Sequence, residues 1–317
     1  MQITNNILMI RPVAFRMNEQ TAVNNYFQED IDIQNQEINA KAQQEFDQFV
    51  ETLRSHGINV IVVDDNKEQD TPDSIFPNNW VSFHSSGTVA VYPMFAENRR
   101  RERREDIFDI LEEHGFRIDN VIDYTAAEKD NVFLEATGSI LKDRVNQKAY
   151  CALSERADEN LFIEFCEDFD CFPVIFTANQ TVNGERLPIY HTNVMMAMAE
   201  TFVVICLNAI DDKKERQNVV KHIKKDGREI IDITEAQMHA FAGNMLQVIG
   251  ANDQRFMVMS SQAYKSLRED QIAAIKKHCD IIHSPLDTIE TCGGGSARCM
   301  MAEVFLPASP NPTKGGE

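Results

Sequence analysis

The chain repeats itself. Two short apolar strands, an amphipathic stretch and a third strand recur four times, starting near residues 79, 137, 191 and 243. These starts lie about 58, 54 and 52 residues apart, a range narrow enough to mark a structural repeat. The first copy reads "NWVSFHSSGTVAVYPM", an amphipathic stretch from Arg99 to Gly115, then "FRIDNVIDY". The second opens on "TGSILKDRVNQKAYCAL", the third on "HTNVMMAMAETFVVICL" and the fourth on "GNMLQVIGANDQRFMVMS", whose helix spans Ser261 to His278. The leftover ends fit together. "SARCMMAEVFL" supplies an opening strand, while "NNILMIRP", a helix from Asn35 to His56 and "INVIVVDD" supply the rest of a fifth unit. Closed radial repetition hides strand edges and brings equivalent strand starts to one axis. The expectation is a single α/β domain over 1–307, followed by a Pro- and Gly-rich flexible tail over 308–317.

Composition narrows the partners. With 43% hydrophobic and 26% charged residues and no apolar run of about 20, the chain reads as a folded protein with no membrane partner. A net charge of -19 repels phosphate backbones and so argues against nucleic acid. The start "MQITNNILMIRP" lacks the basic and apolar parts of a secretory signal, which places the protein in the cytoplasm and its seven cysteines in a reducing compartment. None of them has the paired spacing of a zinc site, so no metal and no cofactor are expected. The basic island "RRRERRED" from Arg99 reads most simply as a solvated helix start with internal acid–base pairs.

At or just before the five opening strands stand Asn79, Glu135, His191, Asn244 and Cys299. Singly these are weak signals, because buried cysteines and core histidines are common. At matched positions of a ring they converge on one cavity as a nucleophile, an acid/base and an orienting carboxylate. Three glycines before Cys299 permit close backbone approach to a ligand. They lack the spacing of a phosphate or dinucleotide loop.

The pieces "PDSIFPNNW", "LEATGS", "ALSERAD", "HTNVM" and "GGGSARCM" resemble the guanidino-group modifying superfamily. Its members include arginine deiminases, dimethylarginine dimethylaminohydrolases, agmatine deiminases, amidinotransferases and succinylarginine dihydrolase. The resemblance extends to about Pro307 and implies a five-bladed β/α propeller, the pentein fold, of ββαβ units with pseudo-fivefold symmetry. It implies Cys299 as the attacking thiol, His191 as the proton carrier and Glu135 as the assisting acid. Arg156, in the segment similar to the family's L-S-x-R element, is the implied ligand of a substrate carboxylate, with Arg99 or Arg100 as a second. Asp73 stands where the family clamps the guanidinium. A homodimer is also what the resemblance suggests.

Asn78, Asn79 and Asn193 stand where relatives carry acids. A carboxylate only accepts, which suits a guanidinium; an asparagine also donates, which suits the carbonyl of a ureido group. The amides therefore point to hydrolysis of a citrulline-like ureido amino acid to ornithine, ammonia and carbon dioxide, or of arginine through that stage. Plain turn chemistry is the alternative account of Asn78 and Asn79. Other readings are an arginine deiminase-like or dimethylarginine dimethylaminohydrolase-like enzyme, an amidinotransferase, and a propeller that binds without chemistry.

Overall fold

The structure, a computed structural model, describes residues 1–31 and 34–310. Among these the strands form five three-stranded sheets and one two-stranded hairpin. The five sheets share one plan, with a central strand paired antiparallel to one neighbour and parallel to the other. In chain order the middle strands of four sheets are Thr88–Val91, Lys148–Leu153, Phe202–Ile205 and Arg255–Ser260. The remaining sheet joins opposite ends of the sequence. Asn6–Arg11 pairs antiparallel with Ala302–Glu303 (Ile7 opposite Glu303) and parallel with Asn59–Asp64 (Ile7 opposite Val60).

Each parallel pairing needs a crossover, and a helix supplies it. Asn35–Ser55 turns Ile38, Ala42, Phe46, Phe49 and Leu53 onto its sheet at helical spacing. Glu159–Asp168 and Lys213–Lys225 begin on Asp158 and Asp212, whose carboxylates accept from first-turn amides. The central strand Phe202–Ile205 is buried throughout, as expected of a strand covered on both faces.

Some boundaries differ from the sequence expectation. The stretch 99–115 is a 3-10 helix over Glu97–Glu102 followed by an α-helix over only Asp106–Glu113. The helix expected from Ser261 to His278 is two, Ser261–Ser266 and Glu269–Lys276, with Leu267 extended between them. The hairpin Asn179–Val182 with Glu185–Pro188 interrupts the repeat. Ala308 bridges to Phe116, and the Ser309 amide donates to the Gly115 carbonyl at 2.7 Å, so the expected tail begins as bound chain. Its part over 311–317 lies outside the described residues. No helix among the described residues is long and apolar enough to cross a membrane.

One-turn helices precede several inner strands. Ala136–Ser139 packs on Thr192–Met195 and on the turn Pro77–Asn79. Side-chain bonds fix them: Thr192 Oγ1 donates to Ser139 O at 2.6 Å and accepts from Ala152 N at 2.8 Å, while Ser139 Oγ donates to Arg156 O at 2.9 Å. These bonds set the positions of Glu135, Arg156 and His191.

Candidate active site

A cavity of about 10 Å³ is lined by Asp73, Asn79, Arg99, Arg156, His191 and Cys299, with Tyr190, Phe76, Asn25 and Gly293, Gly294 and Gly295 completing its wall. That is room for about one water. An amino-acid ligand must therefore displace part of the wall.

Glu135 Oε2 lies 2.7 Å from His191 Nε2, and Glu135 Oε1 accepts from Phe95 N at 3.0 Å. Burial alone would raise this carboxyl, but Arg156 at 3.6 Å, the histidine bond and Arg99 at 4.0 Å hold it down at about 2. Burial pushes the His191 imidazole down to about 4 despite Glu135. The ring is thus neutral at pH 7. Since a carboxylate only accepts, Nε2 is the donor and Nδ1 keeps the lone pair.

Cys299 is 3% exposed. Two amides hold its sulfur: Asn244 Nδ2 at 3.1 Å and Asn193 Nδ2 at 3.5 Å. Asn244 also accepts from the Arg298 amide at 3.1 Å and donates to Asn193 O at 3.1 Å, tying the cysteine turn to the neighbouring unit. Burial raises the thiol, and the amide donors together with the Arg298 charge oppose this. With nothing bound, thiol and imidazole are both neutral, so thiolate formation calls for an incoming cation or for proton transfer to His191.

The arginines divide. Arg99 is buried and fully committed: Nε and Nη2 donate to Glu102 at 2.9 Å each, and Nη1 donates to Asn79 Oδ1 at 2.9 Å. Arg100 turns away, donating to Met94 O at 3.0 Å, and does not line the cavity. The basic island therefore buries Arg99, while Arg103 and Arg104 pair with Glu128 and Asp106. Arg156 Nε donates to Asn24 Oδ1 at 3.0 Å and Nη2 to Thr21 O at 3.0 Å, and its guanidinium lies 4.9 Å from the Tyr190 ring. A substrate carboxylate at Arg156 would have to replace Asn24.

Asp73 Oδ2 accepts from Asn18 at 2.8 Å and Thr21 at 3.2 Å, leaving Oδ1 buried without a partner. Asn79 Nδ2 is likewise buried and unpartnered. Such groups cost about 1–3 kcal/mol each unless a ligand completes them. Asn78 does not line the cavity; both its side-chain polar atoms are buried without partners, and its carbonyl accepts from Thr137 Oγ1 at 3.0 Å. The sequence alone assigns no role to Asn244 or Tyr190. The repeat position of Asn244 was the available signal, whereas Tyr190 had none.

Gly138 makes the arrangement possible. A Cβ there would lie 2.4 Å from Asn79 Nδ2 and 2.9 Å from His191 Nδ1. Gly138→Ala is expected to push the imidazole off line and lower kcat about 100-fold with the chain still folded, measured by steady-state kinetics beside circular dichroism.

Among the described residues no group of three or more His, Cys, Asp or Glu side chains is arranged to hold a metal. No disulfide involves any of the seven cysteines.

Fold and sequence comparisons place the chain among the hydrolytic guanidino-modifying enzymes, which cleave amidine C–N bonds. It belongs to the family described as N,N dimethylarginine dimethylhydrolase, eukaryotic, which matches residues 11–306. Apo ArgZ, an arginine dihydrolase from the ornithine-ammonia cycle in cyanobacteria, superposes with a TM-score of 0.72 at 18% identity, over 96% of this chain and 41% of that one. The chain thus spans less than half of full-length ArgZ. The product-bound N-terminal domain of ArgZ gives 0.67 at 18% identity, over 95% of this chain and 99% of that one. A dimethylarginine dimethylaminohydrolase adduct with S-methyl-L-thiocitrulline gives 0.62 at 15% identity, over 95% and 99%. No curated protein sequence matches significantly.

Proposed function

We propose that the protein hydrolyses the ureido group of a citrulline-like amino acid to the amine, carrying arginine through the same two stages. Five sheets of one plan, the last closed by the two ends of the sequence, support a five-bladed propeller with Cys299, His191 and Glu135 at its axis. The observation that carries the reading is the set of amides at the nucleophile, of which Asn79 lines the cavity while Asn193 and Asn244 lie outside its lining and reach only the Cys299 sulfur. Asn193 and Asn244 donate to Cys299, and Asn79 presents a free donor to the same cavity.

The Cys299 sulfur attacks the ureido carbon, and its proton passes to His191, whose imidazolium Glu135 stabilises. The tetrahedral adduct expels ammonia, which takes that proton, and leaves an S-carbamoyl thioester. Water, deprotonated by His191, then attacks the thioester carbon and releases the thiolate. The resulting carbamate loses carbon dioxide to give the amine. Arginine enters as a guanidinium, forms a thiouronium on the same sulfur with loss of ammonia, and is released by water as citrulline at the first turnover. Arg156 is the proposed ligand of the α-carboxylate, and Arg99 holds Asn79 in place.

A second reading is a deiminase that stops at citrulline. It is favoured by the raised Cys299 thiol, which a cationic guanidinium would lower and a neutral ureido group would not. Purified protein incubated separately with arginine, citrulline, agmatine and dimethylarginine decides between them. Ornithine from citrulline is expected. Citrulline that accumulates from arginine and is never consumed would sink the ureido reading. Asn79→Asp removes the free donor and should shift the ratio of kcat/KM for ureido over guanidino substrates down by about tenfold. An unchanged ratio would return Asn79 to turn chemistry.

A further inference from the structure

A second cavity, of about 30 Å³, shares no lining residue with the first. Thr137 and Arg298, sequence neighbours of Gly138 and Cys299, mark where the two come close. Its charged lining is Lys142, Arg144, Arg298 and Glu303. Three cations against one carboxylate is a local excess of positive charge in a chain of net charge -19.

Arg298 is paired, with Glu303 and with the Met301 carbonyl at 2.8 Å each, and the strand geometry explains why Lys142 and Arg144 are not. Alternation along Ile140–Asp143 and into Arg144 puts Lys142 and Arg144 on one face and Asp143 on the other. There Asp143 is consumed by Arg228, at 2.8 Å to its second oxygen, and by Asn146 at 2.9 Å. Gln2 fixes the rim by donating to Lys142 O at 2.9 Å and accepting from Arg144 N at 2.8 Å. Glu303 is engaged by Arg298 at 2.8 Å. Among the described residues no carboxylate lies within ion-pair distance of Lys142 or Arg144, and neither side chain donates a hydrogen bond. Their partners are rings: Lys142 Nζ sits 4.7 Å from Phe169, and the Arg144 guanidinium 3.7 Å from Phe305.

Burial and the nearby Arg144 charge push Lys142 down to about 8, only partly opposed by Cys171, Cys166 and Asp170. Burial also lowers Arg144, opposed by Glu303. Like charges gathered in a half-buried place repel one another unless an anion joins them. We propose that this cavity is a binding site for one small oxyanion (a carboxylate, bicarbonate or phosphate) held by Lys142, Arg144 and Arg298. The Arg144 fork suits two oxygens, Lys142 supplies a point charge, and the cavity admits nothing much larger than two waters. The inference does not depend on the reaction at Cys299.

Two measurements on the full chain test it. Thermal unfolding is followed in sodium phosphate, bicarbonate and acetate against sodium chloride at equal pH and ionic strength. At least one oxyanion should raise Tm by about 3 °C in the wild type, and the rise should vanish in Lys142→Met. The arms show which oxyanion is preferred. Should Lys142→Met fail to fold, labelling of Lys142 in the wild type by an amine-reactive reagent, read by mass spectrometry, still tests the site. The stabilising oxyanion should slow labelling at Lys142 by about threefold or more, relative both to chloride and to exposed lysines such as Lys277. Equal melting in all four salts, the same rise in Lys142→Met, or labelling indifferent to the anion would each overturn the proposal.

Discussion

Cys299→Ala is expected to abolish turnover of guanidino and ureido substrates alike, by about 10⁴-fold or more, while the protein still folds and binds ligand. The side chain is small, and the loss is one sulfur between Asn193 and Asn244, whose amides can hydrogen-bond to water instead. Stability should therefore fall by only about 1–2 kcal/mol. The chemical loss is far larger because nothing else in the cavity is a nucleophile: His191 is committed to Glu135, and the remaining lining is cationic, amide, aromatic or glycine except for Asp73. Substrate depletion by the wild type and the variant, beside ligand-induced thermal shifts, separates chemistry from binding. Full turnover by Cys299→Ala would remove the covalent mechanism and leave the fold as a binding module.

Glu135→Gln should lower kcat by about 10²–10⁴-fold with a smaller effect on KM. The carboxylate holds His191 through Nε2 and would stabilise the imidazolium that forms during proton transfer, whereas a glutamine could orient the ring only as a neutral partner. The variant should also be less stable, on the order of a few kcal/mol, because Arg156 and Arg99 lose a buried counter-charge. The pH dependence has a definite sign. Both Glu135, held at about 2, and His191, lowered to about 4, have folded values below their unfolded ones. Their contributions are complete above about pH 6.5 and are lost as the pH falls, first through the histidine between about 6.5 and 4 and then through the glutamate between about 4.5 and 2. Chemical denaturation across pH 3–8 should show the wild type losing stability on acidification and Glu135→Gln losing less of it below pH 4.5. A parallel pair of curves would mean that the folded protein does not hold the Glu135 carboxyl below its unfolded value.

The repeat was the legible part of the fold. Alternating strands and a narrow spacing announced the strands of all five sheets, including the one assembled from "NNILMIRP" and "SARCMMAEVFL". What escaped detection were features set by tertiary contact. The break at Leu267 lies inside a continuous amphipathic pattern, and the one-turn helices before the inner strands are too short to carry a period. In the site, equivalence within the repeat groups Glu135, His191 and Cys299, and the structure puts all of them at or beside one cavity. Equivalence could not decide between Arg99 and Arg100, because adjacent residues on a 3-10 turn differ only in which side packs inward. Nor could it reveal that Arg156 is met by Thr21 and Asn24, which are more than 130 positions away in sequence.

The strand Ala302–Glu303 closes the first sheet, and Cys299 lies three positions ahead of it. During synthesis the Asn6–Arg11 strand leaves the ribosome long before Ala302–Glu303 and waits with one edge unpaired until that strand has been made. At about 5–20 residues per second that wait lasts at least about 15 seconds. Cys299 is therefore translated after every other residue that lines the cavity, and the partly made protein carries those residues without the proposed nucleophile. A nascent chain stalled before residue 299 should be inert toward thiol-directed substrate analogues, and its exposed Asn6–Arg11 edge is where chaperones or a second nascent copy would first engage.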